Sequence, residues 1–196
     1  MFKFFSNKRI KPLFIGIIAN IAFSSFAFAQ PDKTEQVGAY HLSLYQDIQG
    51  DVLDLEAYTK VPDREVFFGV TCSAMSPFPA MQVLLFEDEI ISETPRFMSV
   101  SYQLDGKNGT VPLQAILKAE LTADRYLNQI RFEIDSGKIE KNMRLMQEAY
   151  ARLLNGLETG KQITVTVEHR TLGQHQYQFT LEGLNKVLQP YQRICR

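Results

Sequence analysis

The chain of 196 residues has no tryptophan, two cysteines and three histidines. These scarcities exclude whole classes of chemistry. Two cysteines spaced far apart, Cys72 and Cys195, make neither a Cys-x-x-Cys redox motif nor a cysteine-based zinc set. The serines sit in no Gly-x-Ser-x-Gly elbow, and no glycine-rich phosphate cradle is present. After residue 11 no block of basic residues occurs, so the electrostatic footprint of a nucleic-acid binder is missing. A polybasic face for anionic lipid is missing for the same reason. Only one long apolar run exists, and it lies at the beginning of the chain.

That run carries an address. Lys3, Lys8, Arg9 and Lys11 precede an apolar stretch over residues 13–28, which closes on Ala27-Phe28-Ala29 before Gln30. A basic segment, an apolar core and a small-residue end are the parts of a secretory signal peptide, here residues 1–29, with cleavage expected after Ala29. No cysteine follows it, so a lipoprotein anchor is not expected. The chain has formal charge −1, and removing four positive charges with the signal leaves a mature part at −5. No second apolar stretch would span a membrane, and the expected location is periplasmic or secreted.

In an oxidising compartment two cysteines read as one disulfide, Cys72–Cys195, closing more than a hundred residues. Chain-entropy reasoning assigns such a closure roughly 4–5 kcal/mol.

Residues 30–39 are polar and are expected to form a flexible N-terminal segment, leaving residues 40–196 as a single β-rich globular domain. Period-two alternation recurs over residues 40–45, 52–58, 65–72, 97–104 and 128–134. In the third of these, Val66, Phe68, Val70 and Cys72 share one face, as a core half-cystine requires. Asp105-Gly-Lys-Asn-Gly109 supplies positive-φ turn positions. After Gly137 the period changes to helical, with Ile139, Met143, Met146, Tyr150, Leu153, Leu154 and Leu157 in one stripe, and Gly156 or Gly160 is expected to end the helix in left-handed conformation. Residues 162–182 read as a hairpin, and a short C-terminal helix places Leu184, Val187, Leu188, Tyr191 and Cys195 on one face. The fold expected is mainly β (α+β): an antiparallel β-sandwich or open barrel, one long amphipathic helix, and a C-terminal helix tied by the disulfide.

Four features are weighed as candidates for function. Residues 73–79 (Ser-Ala-Met-Ser-Pro-Phe-Pro) hold Phe78 between Pro77 and Pro79, which restricts the backbone and suits a partner-binding anchor, or equally a plug for the end of the core. The hairpin, if centred on Leu172, opposes His169 and His175 on one face, where Cβ atoms about 4.5–5.5 Å apart could share a metal, although no further ligand stands near. Glu87-Asp88-Glu89 is acidic but lacks the spacing of a calcium loop. Hairpin edges, finally, could accept a partner strand.

The second half of the chain also resembles a known pattern. A strand ending Phe-Glu-Ile-Asp135 leads to a helix ending Leu153-Leu154, then Leu157-Glu-Thr-Gly-Lys-Gln-Ile-Thr-Val, then Phe179-Thr-Leu-Glu-Gly183-Leu184 and a helix closing on Cys195. Over residues 64–196 this is similar to the periplasmic families around invasion-associated locus B and the type VI secretion accessory protein VasI. The resemblance implies a β-sandwich-like, non-enzymatic envelope protein with an upstream cysteine near a strand end, here Cys72, and it carries over no catalytic residue. The 73–79 stretch has no counterpart in that pattern. The expectation is therefore an exported, soluble binding or accessory protein without a cofactor, whose partner is another envelope or secreted protein. The rivals are an inhibitor of an envelope hydrolase working through the 73–79 loop, and a metal-dependent enzyme built on His169 and His175.

Overall fold

The computed structural model describes residues 30–86, 96–122, 125–135, 137, 142–169 and 173–195. The expected signal peptide, the acidic 87–89 run, Ile139 and the hairpin tip at 170–172 lie outside the described residues.

Eleven strands form one open antiparallel sheet. They are β1 (Lys33–Val37), β2 (Tyr40–Gln46), β3 (Val52–Lys60), β4 (Val66–Ser73), β5 (Ala80–Leu85), β6 (Arg96–Leu104), β7 (Lys107–Asn108), β8 (Leu113–Thr122), β9 (Arg125–Ile134), β10 (Gln162–His169) and β11 (Gly173–Thr180). Their order is β1-β2-β3-β4-β5-β9-β8-β6-β10-β11, with β7 paired to β6. One continuous hydrogen-bonded sheet stands where a sandwich would have two. Helix α1 (Met143–Thr159) follows β9. The chain ends in α2 (Leu184–Leu188), a 3-10 turn (Gln189–Tyr191) and α3 (Gln192–Cys195).

Alternation decides which face is core. Tyr40, Leu42 and Leu44 on β2, Val66, Phe68, Val70 and Cys72 on β4, and Ile130, Phe132 and Ile134 on β9 are buried. The inner faces of distant strands meet: the rings of Phe68 on β4 and Phe179 on β11 are 5.5 Å apart. The Tyr40 hydroxyl donates to the Thr180 carbonyl at 3.0 Å, joining the two ends of the sheet on one side. Each buried aromatic of this kind is worth about 2–3 kcal/mol against exposure.

Helix α1 begins where Asn142, in extended conformation, accepts from the Arg144 N–H, an ordinary N-cap. Its buried stripe is Ala149, Leu153, Leu154 and Leu157. Neither glycine ends it in the expected left-handed conformation. Gly160, the C-cap, is extended (φ −74, ψ 161), and Gly156 lies inside the helix where it meets the sheet: a Cβ there would stand 2.9 Å from Leu104 Cδ1. Asp105 and Gly106 do take positive φ, 50° and 78°. The Asp105 carboxylate accepts from the Lys161 and Gln162 N–H groups at 2.9 and 3.0 Å, fixing the start of β10.

The disulfide is Cys72–Cys195, with Cα atoms 4.9 Å apart. It fastens α3 to β4, whose inner face carries Cys72. Residues 33–37, expected to be flexible, instead pair with β2 as edge strand β1. A strand with little buried surface carries no apolar signal, which is why polarity read as flexibility.

Candidate functional site

Because Leu55, Ala57 and Thr59 point inward on β3, Asp54, Glu56, Tyr58 and Lys60 form its outer row. Register aligns these with outer residues of neighbouring strands. Tyr45 of β2 opposes Asp54, Glu56 opposes Thr71 of β4, and Tyr58 opposes Gly69. Gly69 opposes Gln82 of β5, and Gln82 opposes Arg131 of β9. The outer face is thereby built from five strands.

Tyr58 forms the ridge of this face. Its ring lies over Gly69, where a Cβ would stand only 2.1 Å from Tyr58 Cε1. No residue but glycine fits beneath it. Gln82 donates to the Tyr58 hydroxyl, and Gln129 donates to the Gln82 carbonyl oxygen, so a polar chain holds the ridge. Burial pushes the Tyr58 phenol well above its ordinary range.

On one side of the ridge is a polar cleft of about 340 Å³. Tyr45, Asp54, Glu56, Thr71, Ser73, Ser76, Phe78 and Arg131 line it, with the small Ala80 in its floor. The Tyr45 hydroxyl donates to Glu56 Oε2 at 3.2 Å. Burial raises the Glu56 carboxyl above the usual range, opposed by that hydrogen bond and assisted by Asp54. Tyr45 is raised chiefly by burial and then by the Glu56 charge. Arg131 pairs with Glu133 at 3.5 Å on the surface. The cleft thus offers carboxylates, hydroxyls, an aromatic face and a guanidinium within one concavity.

On the other side is an apolar hollow of about 400 Å³, lined by Ala39, His41, Tyr58, Lys60, Phe67, Leu84 and Phe86, with Gln36 at its margin. Phe67 and Phe86 meet edge to face at 5.8 Å, and Lys60 Nζ stands 5.5 Å from the Phe67 ring centroid while pairing with Glu65.

The 73–79 loop forms the rim of the polar cleft. Phe78 is half-buried, stacked on Tyr150 of α1 with centroids 4.5 Å apart. Its ring separates the cleft from a pocket of about 190 Å³ over α1. Pro79 is buried and Pro77 exposed. The loop is pinned by Ala74 N–H to Leu53 carbonyl (2.7 Å), Ser76 N–H to Ser73 carbonyl (3.1 Å) and Ser76 hydroxyl to Phe78 carbonyl (2.8 Å). Met75 at its tip is 90% exposed. Of the three loop residues singled out from sequence, Phe78 stands beside Tyr45, Glu56 and Arg131, which sequence reasoning missed, while Pro77 and Pro79 line the pocket over α1.

The two-histidine arrangement is corrected. In the β10–β11 ladder His169 opposes Gly173 and His175 opposes Val167. The hairpin is centred one residue earlier than Leu172, so the two histidines are not cross-strand partners. Among the described residues no group of three His, Cys, Asp or Glu could hold a metal ion, and no helix is long and apolar enough to cross a membrane.

Comparison with protein-family models, with curated proteins and with solved structures finds no match to this chain.

Proposed function

We propose that this is an exported, non-enzymatic binding or accessory protein of the bacterial cell envelope, which recognises another protein through the polar cleft on the outer face of β2–β5 and β9. The observation that carries this reading is the pinned 73–79 loop on the cleft's rim, with Met75 and Pro77 outward and Phe78 as its wall. A rigid loop binds with less ordering cost than a mobile one. An exposed apolar tip beside charged and hydroxyl groups also matches the layout of a small recognition surface, an apolar anchor with a polar surround. The resemblance to the invasion-associated locus B and VasI families supports the same class, as does the signal-like start of the chain.

A second reading keeps the same loop and changes the partner: an envelope hydrolase inhibited by insertion of residues 73–79. It is favoured by the way Pro79 burial and the Phe78–Tyr150 stack hold the loop outward as a wedge.

The test is a pull-down from Gram-negative envelope extract with the mature protein, repeated with Met75→Asp and with Phe78→Ala. One discrete protein should be retained by the wild type and lost with both variants. Retention unchanged in both would remove the cleft rim from the account. A captured hydrolase whose activity falls on binding would select the second reading.

A further inference from the structure

Resting on the reading above, we infer that the acidic end of the polar cleft seats an arginine side chain of the partner protein, its guanidinium bridging Asp54 and Glu56. Both acids stand on the outer phase of β3, two residues apart, which sets their Cα atoms about 6.6 Å from each other. Both residues are half-buried. Tyr45, the cross-strand partner of Asp54, donates to Glu56 Oε2, so its side chain runs from one acid to the other. Thr71, Ser73, Ser76 and Phe78 line the same concavity.

The charge at this end is not balanced from within the fold. Among the described residues the Asp54 carboxylate has no hydrogen bond or ion pair, and the Glu56 carboxylate has only its bond from Tyr45. The Asp54 charge adds to burial in raising the Glu56 carboxyl, as happens when two acids share a concavity with no cation between them. The cation among the lining residues, Arg131, lies three strands away across β4, β5 and β9, about 14 Å along the sheet. It already pairs with Glu133. Glu56 Oε1 and both Asp54 oxygens therefore remain as acceptors.

Arginine fits this set better than a metal ion or a lysine. Calcium wants more oxygen ligands than two carboxylates supply, and among the described residues no group of three His, Cys, Asp or Glu could hold a metal. A planar guanidinium has donors enough for the free carboxylate oxygens and for a hydroxyl of Thr71 or Ser73. It also stacks on aromatic faces and sheds water more readily than an ammonium, and Tyr45 and Phe78 are in the lining. From that anchor the partner segment runs over the small floor of Thr71 and Ala80 toward Arg131. An acidic side chain there completes the charge match.

The experiment titrates the mature, disulfide-bonded, isotope-labelled protein with tripeptides blocked at both ends and carrying arginine, lysine or citrulline between glycines. Citrulline keeps the shape of arginine and lacks its charge. By nuclear magnetic resonance the arginine peptide should give saturable shifts at Tyr45, Asp54, Glu56 and Thr71, the lysine peptide weaker ones and the citrulline peptide none. Asp54→Asn and Glu56→Gln should each weaken arginine binding at least about tenfold, with the spectrum otherwise that of the folded wild type. Equal shifts from lysine or citrulline, shifts that survive both substitutions, or no saturable shift overturn the proposal. So does tighter binding of calcium ion at the same residues. The reading beneath it fails separately. A captured protein that is lost with Met75→Asp and Phe78→Ala but kept by the Asp54→Asn, Glu56→Gln double variant overturns the arginine seat and leaves recognition through the cleft standing. Arginine binding that needs both acids, with no protein captured, keeps the seat and removes that reading.

Discussion

Placing a methyl group at Gly69 should break the outer face at its ridge, and its cost can be worked from the geometry. The Tyr58 ring occupies the space a Cβ would need, with three ring carbons within 2.9 Å of it. Gly69→Ala must therefore lift a large ring from a packed position, at about 1–3 kcal/mol. The displaced hydroxyl loses the hydrogen bond from Gln82, at about 1 kcal/mol. Alanine returns about 0.5–1 kcal/mol of backbone entropy relative to glycine. The net expectation is destabilisation by about 2 kcal/mol, or a urea midpoint lower by about 1 M. In a Tyr58→Ala background the obstacle is gone, and the same substitution should stabilise by about 0.5–1 kcal/mol. A double-mutant cycle by urea unfolding should thus give a coupling of about 3 kcal/mol. If the two substitutions add to within about 0.5 kcal/mol, the ring does not rest on Gly69 and the ridge reasoning fails.

Thr59, 1% exposed on the inner face, has a hydroxyl with no hydrogen-bond partner among the described residues; Thr59→Val should stabilise by about 1 kcal/mol, read as a rise in the denaturant midpoint. Replacing Cys72 and Cys195 by alanine opens a closure of sequence separation 123, which should cost about 5 kcal/mol and lower the thermal midpoint by about 10–20 °C. The Glu56 carboxyl is raised in the folded protein by burial, so its protonation favours folding: the contribution is fully present below the unfolded pKa and is lost as pH rises through the folded one. Glu56→Gln should accordingly gain stability over wild type at pH 7, with the gain shrinking as pH falls through the raised folded pKa and gone once pH is below the ordinary glutamate range; a gain that grows on acidification would refute the burial argument.

Much of the fold is legible in local pattern, and the exceptions have physical causes. The alternation of β4 and β9 and the later part of the α1 stripe, Leu153, Leu154 and Leu157, identify buried faces directly, because half-buried elements must repeat with their own geometry, whereas Met143 at the head of the helix is 61% exposed. The β10–β11 hairpin was legible in parity alone. Inward residues Val165 and Tyr177 require an even register, but parity is silent on whether the centre is Leu172 or the residue before it, and only the pairing resolves that. Gly156 reads as a helix stop from sequence; the close approach of Leu104, more than fifty residues earlier, makes it an interior position. The polar cleft was not legible. Its Tyr45, Glu56 and Arg131 each sit on the outer phase of a strand, where polar residues are ordinary. They meet because β9 pairs with β5, while β6, β7 and β8 lie beyond β9 in the sheet order. No local pattern encodes that neighbour choice. The 73–79 loop was visible for its prolines, yet its contact with Tyr150, which fixes which residues face outward, is a tertiary event.

Site-specific photocross-linking addresses the central claim, recognition through the cleft, most directly. A photoreactive side chain would be placed at Ser76 on the cleft rim and, for reference, at the exposed Lys186 of α2, in the full chain expressed in living Gram-negative cells. The account predicts one discrete adduct with the same envelope protein from Ser76, none from Lys186, and loss of the adduct when Arg131→Glu reverses the charge in the cleft. No adduct from Ser76, or the same adducts from both positions, would contradict it.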